Sequence, residues 1–278
     1  MISATLGGVP PFPPVASRLM RLMGDDLGAI SYAAVADLIR TDAAFSAEVL
    51  RLANSSVFGP RYQVRDIPHA LAVLGMNRLR AVITTLAMRE FVLSGRQHRA
   101  LGHAWRHSFA TALACEQLAG AMWLDSGLAY TAGLLHDVGI IAMVVAKGGA
   151  YAELVANAPP HEEDFLARES ELLGFDHCEA GQWLLGLWGL PPEFAQATAR
   201  HHEKPGADAF DLPALTHLGC HTANMAGFSI SSPPPPWRPE EIISQLPSKV
   251  QGRYRSKIED LPLSIATRIN SFDCEFMA

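Results

Sequence analysis

The sequence predicts an all-α protein, a multi-helix bundle preceded by an N-terminal helical lobe. Apolar residues recur at helical spacing along most of the chain. Period-two alternation is absent, so no stretch reads as a strand. Proline and glycine fall at the ends of periodic segments rather than in hairpin turns. With 278 residues, 49% of them apolar, the chain can bury a sizeable core.

The elements follow in order. Pro10-Pro11-Phe12-Pro13-Pro14 cannot be helix interior, and it leads into a short helix over 15–23. Ser31 caps 32–40 and Asp42 caps 43–53, before Asn54-Ser55 and Gly59-Pro60 interrupt the pattern. Asp66 and Pro68 open a segment that Gly75 ends, and 76–93 forms a longer helix. Ser94-Gly95 divides a lobe over 8–94 from one over 95–227. The second lobe holds helices over 98–120, 126–146, 151–156, 162–173, 177–187, 192–202 and 212–226. Residues 228–238, with Ser231-Ser232 and four prolines, read as a stiff linker into a helical tail over 239–278. No fixed-period repeat is present.

Composition excludes several classes. The net charge of −6 and the lack of a long basic block argue against nucleic-acid binding; Arg61-Arg65 and Arg78-Arg80 read as solvated faces. No apolar run is expected to cross a bilayer and no signal peptide is recognised, which places the chain in the cytoplasm. Cys115, Cys178, Cys220 and Cys274 are scattered, which opposes a zinc ribbon or a disulfide framework and predicts reduced thiols.

The chemistry lies in the histidines. His107 is near the start of a long helix, His136-Asp137 sits within another apolar helix, His177 opens a third, and His201-His202 closes a fourth. Adjacent helical residues point about 100° apart, so His136 and Asp137 share an ion only if it lies between their helix and its neighbours. A buried His-Asp pair also needs a partner to offset desolvation. Imidazole and carboxylate suit Fe, Mn, Zn or Mg. A single histidine on an apolar face is usually a hydrogen-bonded core residue, and His202 or Glu203 alone reads as solvated, but the grouping of coordinating types favours a metal pocket. His69, His98, His103 and His161 are assigned to structure or surface. His217, His221 and Asn224 share one face of the following helix, and that face either completes the pocket or flanks the core.

These residues resemble the HD superfamily of metal-dependent phosphohydrolases, whose ligands are a lone His, a His-Asp doublet and a later Asp, with further histidines in the two-metal branch. His107, His136, Asp137, His177, His201 and His202 match that branch in order. Val9-Pro10 to Leu22, 39–45, Leu50 to Ser56, Ala70 to Gly75, Gly133 to Asp137 and Trp188-Gly189-Leu190-Pro191 resemble the narrower HDOD domain, an HD-related output domain of bacterial signalling proteins, over about 8–227. Against the enzymes, Asn224 stands for the last metal-binding aspartate and Ile140 for a lysine after the doublet. The Gly-Tyr-Pro signature is missing after Glu203, so hydrolysis of cyclic di-GMP is not supported.

Two functions follow. The first is a regulatory signal-transduction protein whose pocket is a relic or binds a metal or small-molecule ligand. Its partners are other signalling proteins, bound through the first lobe or through tail positions Ile242, Ile243, Leu246, Ile265 and Ile269. No receiver domain fits before residue 8, so the chain is expected to act as a separate partner. The second is a metal-dependent phosphohydrolase acting on a phosphoester or nucleotide, with Asp137 bridging two ions or orienting water.

Overall fold

The computed structural model describes the chain apart from residues 25–30, 59–62, 95–97, 207–209, 231–237 and 274–278. Gly59-Pro60, Arg61, Gly95, most of the proline-rich linker and Cys274 therefore lie outside the described residues. Among those described there are sixteen α-helices and no strand.

The N-terminal lobe comprises α1 (Ile2–Leu6), α2 (Pro14–Gly24), α3 (Tyr32–Arg40), α4 (Ala43–Ala53) and α5 (Ile67–Leu93). Its boundaries are set by side-chain caps: Ser31 accepts from Ala34 N, Asp42 from Phe45 N and Asp66 from His69 N. Gly75, at φ 72°, kinks α5 where the sequence predicted a boundary between two helices. Helix α1 was not anticipated; its Leu6 is buried in the core.

The second lobe holds α6 (Arg99–Met122), α7 (Ser126–Leu135), α8 (Val138–Lys147), α9 (Gly149–Ala156), α10 (Glu162–Leu173), α11 (His177–Leu187), α12 (Pro192–Arg200) and α13 (Leu212–Met225). Helix α6 is the central rod, packing on α7 and α13. One hydrophobic cluster runs from Leu6 through both lobes to Phe272, so the lobes share a core.

The predicted single helix over 126–146 is broken. Helix α7 ends at Leu135, and Asp137 takes φ −103°, ψ 20° before α8 begins. Apolar periodicity continues across the break, which is why the sequence concealed it. Gly139 makes the reversal compact, because its backbone lies so close to α11 that a Cβ there would sit 2.0 Å from the His177 carbonyl oxygen.

The tail forms α14 (Pro239–Gln245), α15 (Ser248–Arg255) and α16 (Leu261–Phe272). It packs on its own chain. Ile242, Ile243, Leu246, Ile265 and Ile269 are all buried, which corrects the expectation that they dock a partner. Arg268 binds Glu116 at 2.7 Å and the Val57 carbonyl at 2.9 Å, and Arg253 lies over the Trp123 ring.

A second correction concerns membranes. Two helical stretches, Ile67–Leu93 and Ser126–Lys147, are long and apolar enough to cross one. Both are largely buried against other helices, as the core helices of a bundle are.

Candidate metal centre

Five elements bring the predicted residues together: α6 carries His107, the α7–α8 break carries His136 and Asp137, α11 opens on His177, and the end of α12 presents His201 and His202. Asp176 and Glu179 form a capping box that fixes the start of α11, and with it the backbone of His177. Asp137 occupies the N-cap position of α8 yet makes no capping hydrogen bond. Its carboxylate turns into the core instead. Oδ2 lies 3.2 Å from His136 Nε2 and 3.5 Å from His107 Nε2, while Oδ1 lies 3.4 Å from His201 Nε2 and 3.5 Å from His177 Nε2. Each carboxylate oxygen thus serves one half of the centre.

The outer nitrogens are all anchored. His107 Nδ1 meets the Phe228 carbonyl at 2.6 Å, His136 Nδ1 that of Gly133 at 2.7 Å, and His201 Nδ1 that of Thr198 at 2.7 Å. His177 Nδ1 meets Glu169 at 2.7 Å and His202 Nδ1 meets Glu162 at 2.9 Å. Carbonyls and carboxylates only accept, so each Nδ1 carries the proton and donates. Each Nε2 then turns a lone pair inward: His107 and His136 are 3.3 Å apart at Nε2, and His177 and His202 are 3.1 Å apart. Acceptors facing acceptors in a buried site require an electrophile between them, either a proton or a metal ion. The residues fit a metal on this ground.

Without an ion, protons take that place. Burial opposes a charge on His177, but Glu169 raises its pKa well above the ordinary value. Burial likewise opposes His201, but Cys178 and Asp137 push it up to about 10. Burial would raise Asp137, yet His136, His201 and His177 hold it well below the carboxylate range. Burial keeps other rings neutral: His107 falls to about 4, and His202 and His221 to about 3.

The sign of the pH dependence follows. An unfolded histidine titrates near pH 6.5. The stability that His107, His202 and His221 contribute is present above that pH and lost as pH falls through about 4 to about 3. That of His201 is complete below pH 6.5 and lost as pH rises through about 10. Metal-free protein should therefore show its highest melting temperature near neutrality, falling on both sides. A flat profile across the acid limb would contradict the neutral assignments.

The sequence missed three contributors. Glu169 is fully buried, accepting from Tyr151 Oη at 2.5 Å, from the His177 amide at 3.0 Å and from His177 Nδ1. Glu162 joins His202 and His221. The available signal was spacing, since 162, 165 and 169 share one face of α10 with Phe165. Glu169→Ala should cost roughly 3–5 kcal/mol in urea unfolding, because it strands a buried imidazolium and a buried phenol.

The third is Cys220, whose Sγ is 3.5 Å from His107 Nε2. Asn224, one turn later, lines the cavity wall with its amide 3.9 Å from Cys220 Sγ. It is Cys220 that touches the ring of donors. His217 and His221 lie beyond it, beside Glu162 and the His201 carbonyl.

Two cavities adjoin the centre. One of about 50 Å³ touches His107, Asp137, His177, His202 and Cys220, with room for a few waters. Ile140 adds an apolar wall, and among the described residues no lysine or arginine lines it. The other, about 640 Å³, shares Glu162 and His202 with the first and is of ligand size.

The profile of the HDOD domain matches residues 9–204, leaving α13 and the tail beyond it. An uncharacterized protein of Treponema pallidum is 25% identical over 246 residues, covering 86% of this chain. This chain spans 45% of that relative's length. A crystal structure of an HDOD domain protein of unknown function from Geobacter sulfurreducens superposes with a TM-score of 0.73 at 22% identity, covering 96% of each chain. One from Marinobacter aquaeolei, named as a proposed signal transduction protein, gives a TM-score of 0.69 at 22% identity, over 96% of this chain and 61% of the other. At these identities the likeness establishes the fold.

Proposed function

The chain belongs to the HDOD domain family, and on that premise we propose that it is a bacterial signal-transduction module whose buried His-Asp centre holds metal and whose output is contact with other signalling proteins. The observation that carries the metal reading is the set of five imidazoles, each tied at Nδ1, four of them turning Nε2 towards Asp137 and the fifth, His202, turning Nε2 towards that of His177. So many nitrogen donors suit iron, zinc or manganese better than magnesium. The regulatory reading is favoured over catalysis by the cavity lining: Glu162 lines it, Ile140 stands where a cation would, and among the described residues no lysine or arginine lines it to hold a phosphoryl group. The name of the Marinobacter relative is consistent with signalling. A cytoplasmic setting and a small-molecule effector in the larger cavity belong to the same proposal.

The test is metal content. Untagged protein should carry iron, zinc or manganese near stoichiometry by elemental mass spectrometry, and a His136→Ala, Asp137→Ala variant should lose it. Metal absent from both proteins would overturn the reading.

One observation favours a second reading, a metal-dependent phosphohydrolase of phosphoesters or nucleotides: Asp137 offers one oxygen to each half, as a two-ion centre needs. A bound ion would supply an acidified water and a polarised phosphoryl oxygen. Asp137 would hold the ions in register, and Glu162 and Glu169 would fix the His202 and His177 rings. Turnover of bis(p-nitrophenyl) phosphate by the metal-loaded chain, lost in the double variant, would favour this reading over the first.

A further inference from the structure

His217 and His221 stand one turn apart on α13, outside the ring around Asp137, on the wall of the cavity of about 640 Å³. Both are buried, and their Nε2 atoms lie 3.0 Å apart. His217 Nδ1 is 2.9 Å from the His201 carbonyl, so it carries a proton and leaves Nε2 as a lone pair. His221 Nδ1 faces Glu162 Oε1 at 3.5 Å, which favours a proton on that nitrogen too. A hydrogen bond between the two rings would instead turn a bare Nδ1 of His221 towards the Glu162 carboxylate. Metal-binding histidines characteristically donate their other ring nitrogen to a carbonyl or a carboxylate; His217 meets a carbonyl, and His221 Nδ1 faces a carboxylate at ion-pair rather than hydrogen-bond distance.

The spacing fits coordination. Two imidazole nitrogens at 2.0–2.1 Å from a tetrahedral zinc are about 3.3 Å apart. The charge around them fits as well, because Glu163, Asp164 and Glu241 join Glu162 in lining the cavity, and among the described residues Lys204 is the one lysine or arginine that lines it.

We infer that His217 and His221 form a separate binding site for a divalent transition metal, with its remaining coordination positions open to the larger cavity. The site shares Glu162 with the central pocket, since that carboxylate also holds His202 Nδ1. An exchangeable ion at the outer pair would thus bear on the geometry of the inner centre through one side chain. It does not depend on the central residues binding metal.

Equilibrium dialysis against zinc, read by elemental mass spectrometry on untagged protein, tests it. The wild type should bind one more equivalent than a His217→Gln, His221→Gln variant. In the His136→Ala, Asp137→Ala background, adding the two glutamines should again remove one equivalent. If the central reading fails and this one holds, zinc bound by the wild type will be insensitive to the first pair of substitutions and lost with the second. Equal zinc with and without the glutamines in both backgrounds overturns the inference. Should the glutamine pair fail to fold by circular dichroism, His221→Gln alone is read through the visible cobalt(II) bands of the His136→Ala, Asp137→Ala protein. Bands absent from that parent, or unchanged by His221→Gln, overturn it equally.

Discussion

Replacing Gly139 by alanine should destabilise the protein by about 3 kcal/mol or more and abolish metal binding. The new Cβ would lie 2.0 Å from the His177 carbonyl oxygen and 2.8 Å from the Gly181 amide nitrogen, both backbone atoms that cannot swing aside. Relief requires α8 and α11 to separate. Those helices carry Asp137 at the mouth of one and His177 at the start of the other, so stability and coordination fail together. Gly186, also in α11, is the control: nothing lies within 4 Å of its Cβ position. Alanine there should be neutral or stabilising by up to about 1 kcal/mol, as expected in an exposed helical position. Urea midpoints of the two variants check the contrast, and equal midpoints would refute the close packing at Gly139.

Asp137→Asn should lower bound metal at least tenfold while leaving helicity unchanged. The carboxylate is shared, so its loss affects both halves of the centre, whereas His107→Ala should affect one. The amide also has N–H groups to give. It can donate to the inward lone pairs and supply the electrophilic partner that an ion would otherwise provide, which keeps the metal-free core satisfied. Metal content alongside far-ultraviolet circular dichroism separates this from unfolding. Retention of stoichiometric metal would remove Asp137 from its central place.

The sequence was informative where chemistry is local. Ser31 and Asp42 announced α3 and α4 because a cap is a property of a few adjacent residues. The six predicted donors from His107 to His202 were legible by type, and the structure brings them together. What escaped depends on distant parts of the fold. The break at Asp137 interrupts an unbroken apolar pattern and exists where the chain must aim two adjacent side chains at one point. Glu169 sits among other acids on α10, and only its buried face distinguishes it. On α13 the sequence offered polar candidates a turn apart, and the rotation that brings Cys220 rather than Asn224 against His107 is decided by packing on α6. The tail's apolar stripe was visible, but which surface would cover it was not.

Of the five acceptors that hold the inner imidazoles, four lie within α7 and α12 or on α10 side chains, and one stands apart. The Phe228 carbonyl that grips His107 belongs to the short stretch after α13. The aim of one inner imidazole thus depends on backbone beyond the helices, so a change that displaces Phe228 should unhook that ring while the other four stay braced.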